Sequence, residues 1–205
     1  MRTIPAGHRG LLVECADLTE VMALHRVLSS DRPAGVVDLV PAARTLLLTF
    51  DDAVTSHGRL TAAAQDADLD LDAGPETGSE VSIAVTYDGE DLAEVGALTG
   101  LSAEEVVARH TGADYIVAFT GFAPGFAYIS GGDPALVVPR RDTPRTKVPA
   151  GSVALAGEFT GVYPRQGPGG WQLLGRTDAP LWDLDRDPPA LLTPGTRVRF
   201  TAVER

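Results

Sequence analysis

Three short segments between Gly121 and Arg176 hold the residue types best suited to chemistry. The first is Gly121-Phe-Ala-Pro-Gly-Phe-Ala-Tyr128. Exposed rings gain nothing in water, so one reading packs Phe122, Phe126 and Tyr128 against a core. The other lets Gly121 and Gly125 bring backbone amides close to a ligand whose apolar wall is Phe122 and Phe126. The second segment is Pro139-Arg-Arg-Asp-Thr-Pro-Arg-Thr-Lys-Val-Pro149. Its prolines limit the entropy lost when the cations between them are fixed. Arg140, Arg141 and Arg145 can each fork onto a carboxylate or phosphate. Lys147 is the only lysine in the chain, either a compact ammonium kept for a purpose or an accident of drift. The third segment, Thr160-Gly-Val-Tyr-Pro-Arg-Gln-Gly-Pro-Gly-Gly-Trp171, can present the amides of Gly167, Gly169 and Gly170 around Pro168 to an oxyanion or carbonyl. It can equally be a tight connection into a strand starting at Trp171. His110 is a candidate general base or a cation at a helix end.

The charge is distributed in keeping with an anion site. The chain of 205 residues carries a formal net charge of −11, which argues against nucleic acid and anionic membrane surfaces as partners. Within residues 121–176, however, six basic residues face three acidic ones. A cationic segment in an acidic chain points to a specific anionic or carbonyl-bearing small molecule, to an acidic partner surface, or to a few solvated arginines. Phosphate-loop, nucleophile-elbow and H-E-x-x-H patterns are absent. The four histidines lie far apart with no Cys or carboxylate at ligand spacing, so no metal site is assigned. No run reaches the ~18 apolar residues of a membrane helix, and the first ten residues lack a signal-peptide profile, so the expected location is cytoplasmic. Cys15 is the sole cysteine and is expected to be a buried, inert thiol.

The elements that must position these segments fall into two groups. Strands are expected at 10–15, 35–39 and 45–50, with a helix opened by the Asp17-Leu-Thr-Glu20 capping box and burying Leu18, Val21, Met22 and Leu28. A second helix is expected over 56–66. The Asp- and Gly-rich stretch 66–78 has little periodicity and is expected to be a linker. A strand over 81–87 then opens a new unit, followed by helices at 91–98 and 102–110, the latter started by the Ser102-Ala-Glu-Glu105 box. Short apolar runs at 115–120, 136–138, 152–156, 171–174 and 197–203, separated by Gly and Pro, favour a closed or nearly closed β-barrel. In the last run Val198, Phe200 and Ala202 should face inward. The expected domains are 1–80 and 81–205.

Taken in order, these segments resemble the family of the 5-oxoprolinase B subunit (PxpB), also known as KipI-type or allophanate hydrolase subunit 1 proteins. The resemblance rests on Gly121-Phe-Ala-Pro-Gly-Phe126, Pro139-Arg-Arg-x-x-Pro-Arg145, Val148-Pro-Ala-Gly-Ser-Val153, Tyr163-Pro, Pro168-Gly-Gly-Trp171 and Gly175-Arg-Thr177. Gly10-Leu-Leu-Val-Glu14 and Val40-Pro-Ala42 extend it to the N-terminal part. Ala127 stands where many relatives carry Pro, and Gly167 where Ser is expected. The resemblance implies an α+β chain, with a small ferredoxin-like N-terminal domain followed by a cyclophilin-like β-barrel domain. It implies a hydrolase subunit, inactive alone, that works with a KipA/PxpC-type subunit of the allophanate hydrolase subunit 2 family and a LamB/YcsF-type PxpA subunit. The implied reaction is ATP-dependent opening of 5-oxoproline to glutamate, ATP being bound within the complex. Under it His110, Arg145 and Lys147 are the candidate catalytic residues, and Arg140, Arg141, Phe122, Phe126, Gly169, Gly170 and Trp171 bind the anionic substrate. Two alternatives go with the resemblance: a carboxyltransferase half that uses biotin on urea or an acyl substrate, and an inhibitor that binds a sensor histidine kinase.

Overall fold

Along two paired strands Leu11, Val13, Leu46, Leu48 and Phe50 are buried while their neighbours are half-exposed, and this period of two builds the first unit. In the computed structural model, residues 1–72 and 78–204 are described, so residues 73–77 of the expected linker lie outside the described residues. The chain divides into two compact units, Met1–Pro75 and Glu76–Arg205. The first contains β1 (Arg2–Pro5), β2 (Gly10–Glu14), α1 (Leu18–Ser30), β3 (Val36–Pro41), β4 (Thr45–Phe50) and α2 (His57–Gln65). Its sheet runs β1-β2-β4-β3 with every pair antiparallel. β2 and β3 are therefore parallel, split by β4 and connected through α1. Asp17 caps α1 by accepting from the Glu20 amide, while Glu20 reaches back to the Ala16 amide, one residue earlier than in a strict capping box. The buried face of α1 is Val21, Ala23, Leu24 and Leu28; Leu18 and Met22 sit at its margin, only half-buried.

The second unit holds β5 (Glu80–Val85), α3 (Leu92–Thr99), α4 (Ala103–Gly112), β6 (Tyr115–Thr120), β7 (Ala127–Ser130), β8 (Arg145–Val148), β9 (Ser152–Ala156), β10 (Phe159–Val162), β11 (Gly167–Gly169), β12 (Gln172–Arg176) and β13 (Arg197–Ala202). Seven strands form one sheet in the order β12-β9-β10-β7-β6-β13-β5. Just beyond β5, Thr86 and Arg176 exchange two backbone hydrogen bonds of 2.9 Å, so the two edges meet and the sheet is nearly closed into a barrel. Its interior is filled by Ile83, Val85, Val117, Ile129, Val153, Val162, Val198 and Phe200. The helices cover one side, with Val95 and Val106 packed on Leu136, Val138, Leu155 and Leu174. The Ser102–Glu105 capping box is complete in α4. β8 and β11 pair with each other as a ribbon outside the main sheet.

Two expectations change in detail. The run at 136–138 is the end of a 3-10 turn, Pro134–Leu136, followed by a single bridge from Val138 to Gly157. In β13, Val198 and Phe200 are buried as expected, but Ala202 is exposed because it lies at the strand's end. Among the described residues no helix is long and apolar enough to cross a membrane.

Candidate functional site

The aromatic segment is a closed loop between β6 and β7. The Phe126 amide donates to the Ala123 carbonyl at 2.9 Å across Pro124-Gly125, with Gly125 at φ +82, as a turn with Pro then Gly at its centre requires. A side chain at Gly125 would come within 3.0 Å of the Trp182 Cβ. Phe126 is buried and meets Tyr163, Trp171 and Tyr128 edge to face, with centroids 5.4, 5.4 and 5.2 Å away. Phe122 lies across Phe126 and Tyr163 but stays exposed. Core packing and ligand wall thus separate onto different rings: Phe126 does the first, and only Phe122 is open for the second.

The arginine segment converges on a residue that sequence reasoning passed over as the start of a helix. Asp91 is almost wholly buried and accepts from Arg141 Nη1 at 2.6 Å, Arg145 Nη2 at 2.8 Å and the Leu173 amide at 2.7 Å. It sits at the N-cap of α3 yet makes no cap bond there, its backbone lying outside the extended region of a capping residue and its oxygens turned to the arginines and Leu173. Burial alone would raise its pKa, but hydrogen bonds from Arg145 and Leu173, with the charges of Arg145 and Arg141, outweigh it and hold the carboxyl below its ordinary range. Exposed Glu90 adds a second contact to Arg145 at 3.1 Å. Arg141 and Arg145 are therefore already paired, while Arg140 and Lys147 are exposed with no ion-pair partner among the described residues. Arg141 Nε, Arg145 Nη1 and Gln172 Oε1 are buried without a hydrogen-bond partner among the described residues.

The glycine loop packs against the same place. The Arg141 amide donates to the Gly170 carbonyl at 2.7 Å, and β11 pairs with β8 through Gly169 opposite Arg145. Gly169 must be glycine because a Cβ there would run into the Tyr163 hydroxyl and ring. The Trp171 amide reaches the Tyr163 hydroxyl, whose pKa is raised, chiefly by burial, with Arg140 and Arg145 opposing the rise. The Trp171 amide is therefore committed inside the fold.

These contacts bring Phe122, Phe126, Arg141, Arg145, Gly169, Gly170 and Trp171 together in the second unit, with Arg140 next to Arg141 in the chain and Lys147 two residues beyond Arg145 on β8. The comparisons with known proteins bear on the same stretch. Residues 1–192 match the model of the carboxyltransferase domain, subdomain C and D. The chain belongs to that family. It is similar to the 5-oxoprolinase B subunit of Haemophilus influenzae, 35% identical over 184 residues that make up 88% of this chain and 85% of that one. Against the 5-oxoprolinase B subunit of Bacillus subtilis it is 46% identical over 126 residues, 60% of this chain and 52% of the relative. Among solved structures, the crystal structure of TTHA0988 superposes with a TM-score of 0.77 at 40% identity, over 96% of this chain and 40% of that one. The chain thus spans about half the length, or less, of the Bacillus subtilis relative and of TTHA0988.

Within this carboxyltransferase-family chain His110 stands apart. Its ring is fully buried against Tyr115 and Phe200, with Nδ1 2.7 Å from the Tyr87 hydroxyl and Nε2 3.0 Å from Thr160 Oγ1. Thr160 donates its own proton to the Ala154 carbonyl, so Nε2 carries the imidazole hydrogen and Nδ1 accepts from Tyr87. Burial pushes the pKa down to about 3, so the ring is neutral, not the helix-end cation its position in sequence suggested. Both nitrogens are occupied inside the barrel. Asp91, Tyr163 and Gln172 are the members of the site missed in sequence. The acidic run Asp88-Gly-Glu-Asp91 was the available signal, since arginines drawn into a fold need a counter-charge.

Proposed function

We propose that this chain acts as the B subunit of an ATP-dependent 5-oxoprolinase, opening the lactam of 5-oxoproline to glutamate together with companion subunits. The single observation that carries the reading is the likeness to the 5-oxoprolinase B subunit over nearly the whole chain, 88% of it in the Haemophilus influenzae comparison. The geometry supports it: a paired, rigid arginine cluster flanked by two unpaired cations suits a substrate that bears a carboxylate and develops anionic charge at the lactam oxygen. Arg140 and Lys147 are assigned to that ligand because their charges are uncommitted. With no phosphate-binding loop in the sequence and its inner arginines tied to Asp91, the chain fits one anionic group better than a whole nucleotide, and ATP is placed on another subunit. The companions are a KipA/PxpC-type chain and a LamB/YcsF-type PxpA chain, in the cytoplasm. Biotin enters only if the assembly transfers carboxyl groups instead.

For the domains we propose the ferredoxin-like and cyclophilin-like classes. The split parallel pair β2 and β3 with β4 between them supports the first, β1 taking the outer position beside β2. The nearly closed sheet with helices on one side supports the second. The test is reconstitution with the companion subunits and measurement of 5-oxoproline-dependent ATP hydrolysis without added biotin. Arg140→Ala with Lys147→Ala should lower turnover by well over about tenfold, the scale of removing a charged transition-state contact, with the fold intact. Unchanged turnover would refute the assignment.

A further inference from the structure

The loop that joins β6 to β7 holds its most exposed ring where its backbone is most strained. Phe122 sits at φ +67, and the Ala123 amide donates to the Gly121 carbonyl at 2.7 Å, closing a γ-turn of the rare hand around it. Such a conformation persists only where the surroundings over-determine it. Here the Pro124-Gly125 turn and the buried Phe126 do so. Yet Phe122 is 61% exposed, so its own burial does not offset the strain.

A second loop stands next to it. Gly125 backs onto Trp182, and the segment around Trp182 is stapled by Arg186 Nη2, which donates to the carbonyls of Pro189 at 2.7 Å and Pro180 at 3.1 Å. That loop displays Trp182, 43% exposed, and Leu184, 80% exposed. Arg165, next to the Pro164 that packs on Gly125, is an exposed cation without an ion-pair partner among the described residues. Rigid, apolar anchors beside cations are the anatomy of a binding hot spot, because little ordering entropy is left to lose on contact.

We propose that Phe122, Trp182 and Leu184 are the anchors on which the companion subunit docks, through apolar pockets rimmed by acidic side chains. The inference rests on the partner reading given above. It is favoured by local charge, since the unpaired Arg165 beside these rings attracts an acidic contact. It is favoured also by TTHA0988, in which the part like this chain is 40% of one polypeptide, so that further protein is joined to it covalently.

The experiment titrates the purified KipA/PxpC-type subunit into the wild-type chain, Phe122→Gly and Leu184→Ser by calorimetry, alongside thermal melts. Glycine adopts the φ of position 122 freely, so Phe122→Gly should melt no lower than wild type while its Kd rises about thirtyfold, the hot-spot threshold of ~2 kcal/mol converted. Leu184→Ser should weaken binding about fivefold or more, at RT ≈ 0.59 kcal/mol per e-fold. A Kd for Phe122→Gly within about threefold of wild type would overturn this surface and leave the partner reading standing. No binding by the wild-type chain would refute the partner reading, and this proposal with it. A dimer of the isolated chain that Phe122→Gly dissolves would also overturn it, by showing that the anchors serve a second copy.

Discussion

Asp91→Asn is the sharpest perturbation the structure offers. The substitution keeps the shape and one acceptor for the Leu173 amide but removes the charge that faces two guanidinium groups at 2.6 and 2.8 Å. Breaking a buried ion pair by deleting one partner costs about 3–5 kcal/mol, because the other charge is left uncompensated. Arg141 retains 34% side-chain exposure and Arg145 16%, so water and Glu90 recover part of that, and a loss of about 2–3 kcal/mol is expected. For a chain of this size that is a fall in Tm of roughly 4–12 °C. The pH dependence supplies an independent sign. The folded pKa of Asp91 lies below its unfolded value of about 3.9, so its contribution is fully present above that value and is lost as pH falls through the folded pKa. Wild type and Asp91→Asn should therefore differ most near neutrality and converge in acid. Calorimetric melts at pH 7 and at pH 3 measure both effects. A difference at pH 7 under about 0.5 kcal/mol, the size of an ordinary surface change, would refute the view that this carboxylate organises the arginine segment.

Two further predictions concern buried contacts. His110 is held neutral with its pKa near 3, below the unfolded value of about 6.5, so stability should fall with pH across that window by up to about 1.4 kcal/mol per pH unit; His110→Gln, though less stable at pH 7, should lose that slope in urea titrations. Gly169→Ala drives a methyl into the Tyr163 hydroxyl, and the buried ring has little room to retreat; a loss of about 1–3 kcal/mol and a changed near-ultraviolet aromatic dichroism are expected, against no change if the β11 ribbon simply lifts away.

Which parts were legible in sequence follows from how far apart the interacting residues lie. The Ser102–Glu105 box and the alternation of Val198 and Phe200 are written within a few residues, and both appear as read. The three segments also meet, since Arg141 to Gly170 and Phe126 to Trp171 are direct contacts. Local pattern is silent, however, on the state of each charge. Arg141 and Arg145 read as ligand hands, but Asp91 lies 50 and 54 residues away and takes both. The short strands β7, β8, β10 and β11 were missed for a related reason: with three or four residues each, they have too few positions to show a period. His110 was drawn toward chemistry by its type and place on a helix, while what decides its state is a tyrosine and a threonine from other elements.

The arrangement of β5 in the barrel has a bearing on how the molecule is made. Its neighbours are β13, paired in parallel along its whole length, and Arg176 at the end of β12. Both lie later in the unit than β5 does, so a chain emerging from the ribosome carries β5 with these main-chain groups unclaimed until the rest of this unit has been synthesised. Closure of the sheet therefore waits on β13, and losing that strand would strip β5 of its longest pairing and uncover Val198's and Phe200's neighbours in the barrel interior.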